Sequence, residues 1–208
     1  MNFLQLCQRL RQECGGSGDG PTTTVNQAGE SKQFIDWVNQ AYLEIQEERR
    51  DWQWLWNEAQ LQVTQGINTY SLASIYVVDD SMILNGRVLD RISFEDYREQ
   101  SRMGLQTSIP TQWAMRPDGA IVFNALPESN GVLKYEYYRT PALLSGNEDT
   151  PRLPERFHML IVYKAMTYYG YYENAPEVLQ QGTRLFDAMS AKLSRDQLPQ
   201  LLVAGPLA

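Results

Sequence analysis

His158 is the single histidine among 208 residues, and it bounds the chemistry open to the chain. Metal centres draw on several His, Cys or carboxylate groups held together, and no such cluster accompanies it. Any Ser-His-Asp or Cys-His arrangement would have to use this one ring. Set beside an apolar stripe, it reads as structural. The tightest acidic pairs are Asp79-Asp80 and Glu95-Asp96. Adjacent residues diverge in direction, so neither pair by itself makes a two-carboxylate site. Asp79-Asp80 reads as a loop or turn, and Glu95-Asp96 as the start of a helix. Cys7 and Cys14 are too few for a disulfide scaffold and read as reduced thiols. The run Gly15-Gly16-Ser17-Gly18-Asp19-Gly20-Pro21 has no Gly-Lys-Ser/Thr and no preceding strand, so it reads as a flexible loop and not a phosphate cradle. The sequence therefore predicts no catalytic, metal-binding or cofactor-binding residue.

Aromatic residues are the other concentrated resource. Trp52, Trp54 and Trp56 fall within five positions, as one face of a strand or as a helix end folding into the core. A stacking platform for bases or sugars would interleave basic residues with the rings, and none are present. Core or subunit contact is the preferred reading. Tyr168, Tyr169, Tyr171 and Tyr172 crowd one helix end, where consecutive positions point around the whole circumference.

The elements that position these residues follow from periodicity. Phe157, Leu160, Ile161, Ala165, Tyr168 and Tyr172 recur at helical spacing after Pro154, which suits a first helical turn. Asn174 is expected to cap a second helix, with Pro176 in its first turn and Glu177 as the capping-box acid. Val178, Leu179, Gly182, Leu185, Phe186, Met189 and Leu193 form its stripe, and Gly182 predicts close approach of a neighbouring backbone. The two should form an antiparallel hairpin over 154–196. Upstream, residues 3–13 predict a short helix with Phe3, Leu6, Cys7 and Leu10 on one face. Ser31 is the expected N-cap of a helix to about Arg50 that buries Phe34, Val38, Ala41, Tyr42 and Ile45.

From Ala59 to Tyr138 the period shifts to two. Leu61 and Val63, then Gln65-Gly66-Ile67-Asn68, then Thr69–Leu72 read as a hairpin. Asn85-Gly86 between Met82–Leu84 and Arg87–Leu89 is the strongest hairpin signal. Ser93 and Asp96 open a short helix from Phe94 to about Met103. Arg116-Pro117-Asp118-Gly119 turns the chain between Trp113–Met115 and Ala120–Phe123, and a Tyr-rich strand runs from Val132 to Tyr138. Thr140 to Arg152 reads as a polar linker. The expected class is α+β and mainly helical. It combines an antiparallel helical bundle or hairpin, a small inserted antiparallel β module, and an extended C-terminal tail. The segments are 1–58, 59–140, 141–196 and 197–208. The tail is apolar yet broken by Pro199 and Pro206, a pattern that suits docking on a partner.

With 25 Asp and Glu against 18 Lys and Arg, the net charge of −7 disfavours a tight grip on nucleic acid phosphates. It remains compatible with a surface past which DNA slides. No apolar run approaches the roughly 20 residues needed to cross a bilayer, so no membrane partner is expected. The N-terminal residues lack the basic lead and apolar core of a secretory signal.

Three motifs carry a resemblance. Leu153-Pro154-Glu155-Arg156-Phe157, Ile161-Val162-Tyr163-Lys164-Ala165 and Ala175-Pro176-Glu177-Val178-Leu179-Gln180 resemble the C-terminal part of head-to-tail adaptor proteins of tailed bacteriophages. The order of elements over roughly 31–195 is similar too. The resemblance implies a structural virion protein, not an enzyme and without cofactors. It would be assembled in the host cytoplasm into a usually dodecameric ring at the head–tail junction. Its partners would be the portal protein, neighbouring adaptor subunits and a tail or nozzle protein, with double-stranded DNA passing through during ejection without specific binding. On this reading Leu198, Leu201, Leu202, Val203 and Leu207 meet the portal. Tyr168, Tyr169, Tyr171, Tyr172, Trp52, Trp54 and Trp56 are candidates for subunit contact. A small hydrolase using Glu155 or His158, and a monomeric module binding ligands through its tryptophans, stay open as alternatives.

Overall fold

A computed structural model describes residues 1–16, 18, 20–72 and 76–197, apart from the side chain of Asp79. In chain order, α1 (Phe3–Glu13) and α2 (Gly29–Glu47) are followed by β1 (Trp56–Val63), β2 (Thr69–Ser71) and β3 (Tyr76–Val77). Next come β4 (Ile83–Leu84), β5 (Arg87–Val88), β6 (Asp90–Arg91) and α3 (Phe94–Arg102). The strands continue with β7 (Thr107–Ser108), β8 (Gln112–Met115), β9 (Ala120–Phe123), β10 (Leu126–Pro127) and β11 (Gly131–Tyr138). Two helices close the chain, α4 (His158–Tyr172) and α5 (Pro176–Gln197). The fold is mixed α+β and divides into two compact units. Met1–Trp54 with the chain from Pro141 onward forms one, and Leu55–Thr140 the other.

In the helical unit α4 is the central element, packed by α5, α1 and α2. Its buried residues are His158, Leu160, Ile161, Val162, Ala165, Met166 and Gly170, a wider arc than the single stripe expected from spacing. A helix with neighbours on several sides must be apolar on several sides. Tyr172, assigned to that stripe, is instead exposed. Pro154 lies ahead of a 3-10 turn at Glu155–Phe157, outside the first turn of α4. At the other end Asn174 adopts φ +52°, and the Ala175 N–H donates to the Gly170 carbonyl at 2.9 Å. Asn174 therefore terminates α4 in a left-handed C′ position and does not cap α5. Ala175 precedes α5, whose first residue is Pro176.

Two glycines permit the close crossing of α4 and α5. A Cβ on Gly182 would lie 2.9 Å from Met166 Cβ and 3.0 Å from the Tyr163 carbonyl oxygen. Gly170 on the facing helix is equally tight against Leu179. The sequence pointed to the first and missed the second.

The helix α2 starts at Gly29 after Ala28, with no side-chain cap, so Ser31 lies inside it and is not its N-cap. The Trp52 indole N–H donates to the Ile45 carbonyl at 3.0 Å, satisfying one of the orphan acceptors at the end of α2. The stretch expected to be a polar linker is held along the helices. The Asn39 side chain donates to the Leu144 carbonyl at 3.0 Å and accepts from the Leu144 N–H at 2.9 Å. Gln46 clasps Ala142 in the same two-way fashion at 3.0 and 3.2 Å. Asn147 Oδ1 accepts from the backbone and hydroxyl of Thr24.

The β unit has its core in Val63, Met82, Leu84, Leu89, Trp113, Ile121, Phe123, Leu133, Tyr135 and Tyr137. One sheet has the order β1-β11-β4-β5, with β3 also on β11; a second runs β2-β9-β8-β6. Asn85 and Gly86 both take positive φ, as a type I′ turn requires, joining β4 to β5 with Ile83 opposite Val88. The hairpin expected around Gln65–Asn68 does not form: β1 pairs with β11, whereas β2 pairs with β9 in the other sheet. Nor is the unit wholly antiparallel, because β6 runs parallel to β8 and β7 to β10. Local alternation identifies strands, but pairing across some 80 residues is decided by packing.

Candidate interaction surfaces

Both nitrogens of His158 are occupied. The Met1 amine lies 2.7 Å from Nδ1, and Nε2 lies 2.9 Å from the Leu153 carbonyl oxygen. An ammonium only donates and a carbonyl only accepts, so the ring is the neutral Nε2–H tautomer. Burial, chiefly, holds its pKa below the ordinary value. The ring thus fixes the start of α1 onto α4. Cys7 and Cys14 are buried free thiols pushed up to about 12 by burial, and stay protonated at neutral pH. Among the described residues, no three His, Cys, Asp or Glu groups converge as metal ligands would. Again among them, no helix is long and apolar enough to cross a membrane.

The three tryptophans do not share a face. Trp52 is fully buried, and Trp54 stacks on it with ring centroids 6.4 Å apart. The intervening 3-10 turn at Gln53–Leu55 breaks the alternation, and Trp56 opens β1 with 41% of its surface exposed. Its indole N–H donates to Glu136 Oε2 at 2.9 Å.

The tyrosines divide as well. Tyr169 stacks on Phe34 at 5.9 Å and meets Trp37 edge-on at 6.0 Å, which makes it an α2–α4 packing residue. Tyr168 is half-buried, with the Lys164 ammonium over its ring at 5.9 Å. Lys164 pairs with Glu44 at 3.0 Å, and burial together with that carboxylate pushes the Tyr168 phenol pKa up. Tyr171 and Tyr172 are 75% and 61% exposed, and Tyr172 touches Trp37 with ring centroids 5.5 Å apart. Sequence spacing missed Trp37, which stands between Tyr169 and Tyr172. On α5 only Gly182 and Leu193 are fully buried, leaving Leu185, Phe186 and Met189 of its stripe half-covered. Leu198, Leu201, Leu202, Val203 and Leu207 lie outside the described residues.

On the β unit an open trough of about 350 Å³ is lined by Glu58, Gln60, Ser81, Lys134, Tyr135 and Glu136. Along it Glu58 stands opposite Glu136, and Gln60 opposite Lys134.

Exposed aromatic rings, a half-covered helix and a polar sheet face are features of a protein that other chains contact. The family model of the SU10 adaptor protein matches residues 1–206, and the chain belongs to that family. It is a bacteriophage structural adaptor, a component of the virion. No curated protein matches it in sequence.

Proposed function

We propose that this adaptor forms a ring, usually dodecameric, between the portal and the tail, and that its role is mechanical and not catalytic. Beyond family membership, one observation supports this reading: Tyr171 and Tyr172 present large aromatic area to solvent at the end of a helix whose other residues are buried or half-buried. Tyrosine supplies apolar surface and a hydroxyl together, which suits a contact between subunits. In a closed ring each copy must present two different surfaces to its two neighbours. The Tyr171–Tyr172 end of α4, with Trp37, is one; the half-covered face of α5 at Leu185, Phe186 and Met189 is the other.

The apolar positions Leu198, Leu201, Leu202, Val203 and Leu207 reach the portal, and the β unit meets the tail or nozzle protein. The net charge of −7 keeps the DNA backbone from adhering as the genome passes. Assembly takes place in the host cytoplasm. The test is native mass spectrometry of the chain mixed with its portal ring. A discrete multi-copy complex is expected, and Tyr171→Ser with Tyr172→Ser should weaken it while leaving the monomer folded.

A further inference from the structure

We propose that the free edge of β1 is a strand-addition site for an extended segment of the tail component. This goes beyond the connector reading and rests on it for the identity of the partner. The pairing phase of β1 is fixed by the structure. The Arg139 N–H donates to the Leu55 carbonyl, and the β1–β11 register continues in step with that pair. Asn57, Ala59, Leu61 and Val63 therefore bond to β11, and the backbone groups of Trp56, Glu58, Gln60 and Gln62 point the other way. On β11 the same phase is visible from its far side. Glu136 accepts from Val78 and Val132 from Asn85. Among the described residues, the outward N–H and C=O groups of β1 have no partner.

This edge lacks most of the usual protections, Glu58 being its one charged side chain. Exposed edges are kept from pairing by brevity, proline, bulges or charged side chains, lysine above all. The other outer strands, β5, β2 and β6, are two or three residues long. By contrast β1 runs for eight residues in unbroken register, with no proline, lysine or bulge. A strand left open in this way is suited to receive another.

The chemistry of the occupant follows from the two faces. Trp56, Glu58, Gln60 and Gln62 are exposed on one, beside the Glu136 carboxylate. Ala59, Leu61 and Val63 lie on the other, against the core. The incoming segment alternates accordingly, with a basic side chain toward Glu58 and apolar ones toward Ala59 and Leu61. A second copy of β1 does not meet the need, because antiparallel self-pairing gives a two-fold dimer and not a ring contact. On the opposite edge of the sheet, β5 offers only Arg87 and Val88.

The test uses phage carrying Gln60→Pro or Gln60→Ala. Proline at position 60 removes an outward donor without taking a bond from β11. Heads with Q60P are expected to retain the chain yet give about tenfold fewer tailed particles, as loss of main-chain pairing implies, while Q60A behaves like the native phage. Normal tailing with Q60P, an equal defect in Q60A, or a two-fold dimer of the free chain that Q60P abolishes would each overturn the proposal. Should Q60P unfold, hydrogen exchange on the unaltered chain decides it. Amides of Glu58, Gln60 and Gln62 should slow by at least about tenfold in tailed particles relative to tailless heads. Equal rates would overturn it. Absence of the native chain from both particles would instead overturn the connector reading, and this proposal with it.

Discussion

Gly170 and Leu179 meet where α4 and α5 cross: a Cβ on Gly170 would lie 2.8 Å from both the amide nitrogen and the Cβ of Leu179. The obstacle is largely backbone, which has little room to yield. Alanine ordinarily improves a helix interior by about 1 kcal/mol over glycine. Here overpacking at about 1–3 kcal/mol outweighs that gain. Gly170→Ala is expected to lower stability by up to about 2 kcal/mol, read from urea midpoints. An increase in stability would mean that the helices separate more easily than this geometry allows.

Asn174 gives a test of the turn. With φ at +52° it occupies a conformation that glycine adopts freely and alanine resists. Asn174→Gly should be close to neutral, whereas Asn174→Ala should cost about 1 kcal/mol. An N-cap would order the variants the same way, glycine losing a few tenths and alanine typically about 1 kcal/mol through lost side-chain capping of α5, so the distinction lies in the amide pattern. A thermal melt of both, with the 170–175 amide pattern followed by NMR, separates the roles. Loss of the Ala175-to-Gly170 bond in the alanine variant alone supports the C′ assignment.

Asn39 holds Leu144 by both its backbone groups, and Gln46, itself buried, holds Ala142. Removing either side chain strands backbone groups at a cost of about 1–3 kcal/mol. Asn39→Ala and Gln46→Ala should each lower the urea midpoint and speed proteolysis near 142–147. Unchanged cleavage would show that the segment is held by other contacts.

His158 gives the chain a pH dependence of known sign. Burial lowers its folded pKa below 6.5, as does the neighbouring Met1 ammonium, against the opposing effects of the Leu153 carbonyl and Glu155. Between the folded value and 6.5 the unfolded chain binds more protons, so stability rises with pH across that window. The contribution is complete above the unfolded value and is lost as pH falls through the folded one. Urea midpoints should therefore drop on acidification below about 6.5, and His158→Gln should flatten that slope. An equal slope in the variant would assign it to carboxylates.

What could be read in the sequence was chiefly local. The α1 limits, the Asn85-Gly86 turn, and the Ser93 cap of α3 with its 3.0 Å bond from the Asp96 N–H depend on neighbours a few positions away. The Gly182 approach was legible because glycine is anomalous in a helix. Gly170 was hidden among four tyrosines. The start of α2 was misplaced because its true boundary has no capping side chain, while Ser31 imitates one. The partners of β1 and β2 were illegible for a different reason. Alternation marks a strand without naming its neighbour, and only the completed sheet shows that β1 has one partner where β11 has several. Asn39 and Gln46 looked like ordinary polar helix positions until the segment beyond Thr140 lay against them.

The proposed closure of this chain into a multi-copy ring on its portal is decided by native mass spectrometry of the full chain with purified portal. One dominant complex with a fixed number of adaptor copies per portal ring is expected, diminished when Tyr171 and Tyr172 are both replaced by serine. A chain that remains monomeric beside intact portal would contradict it.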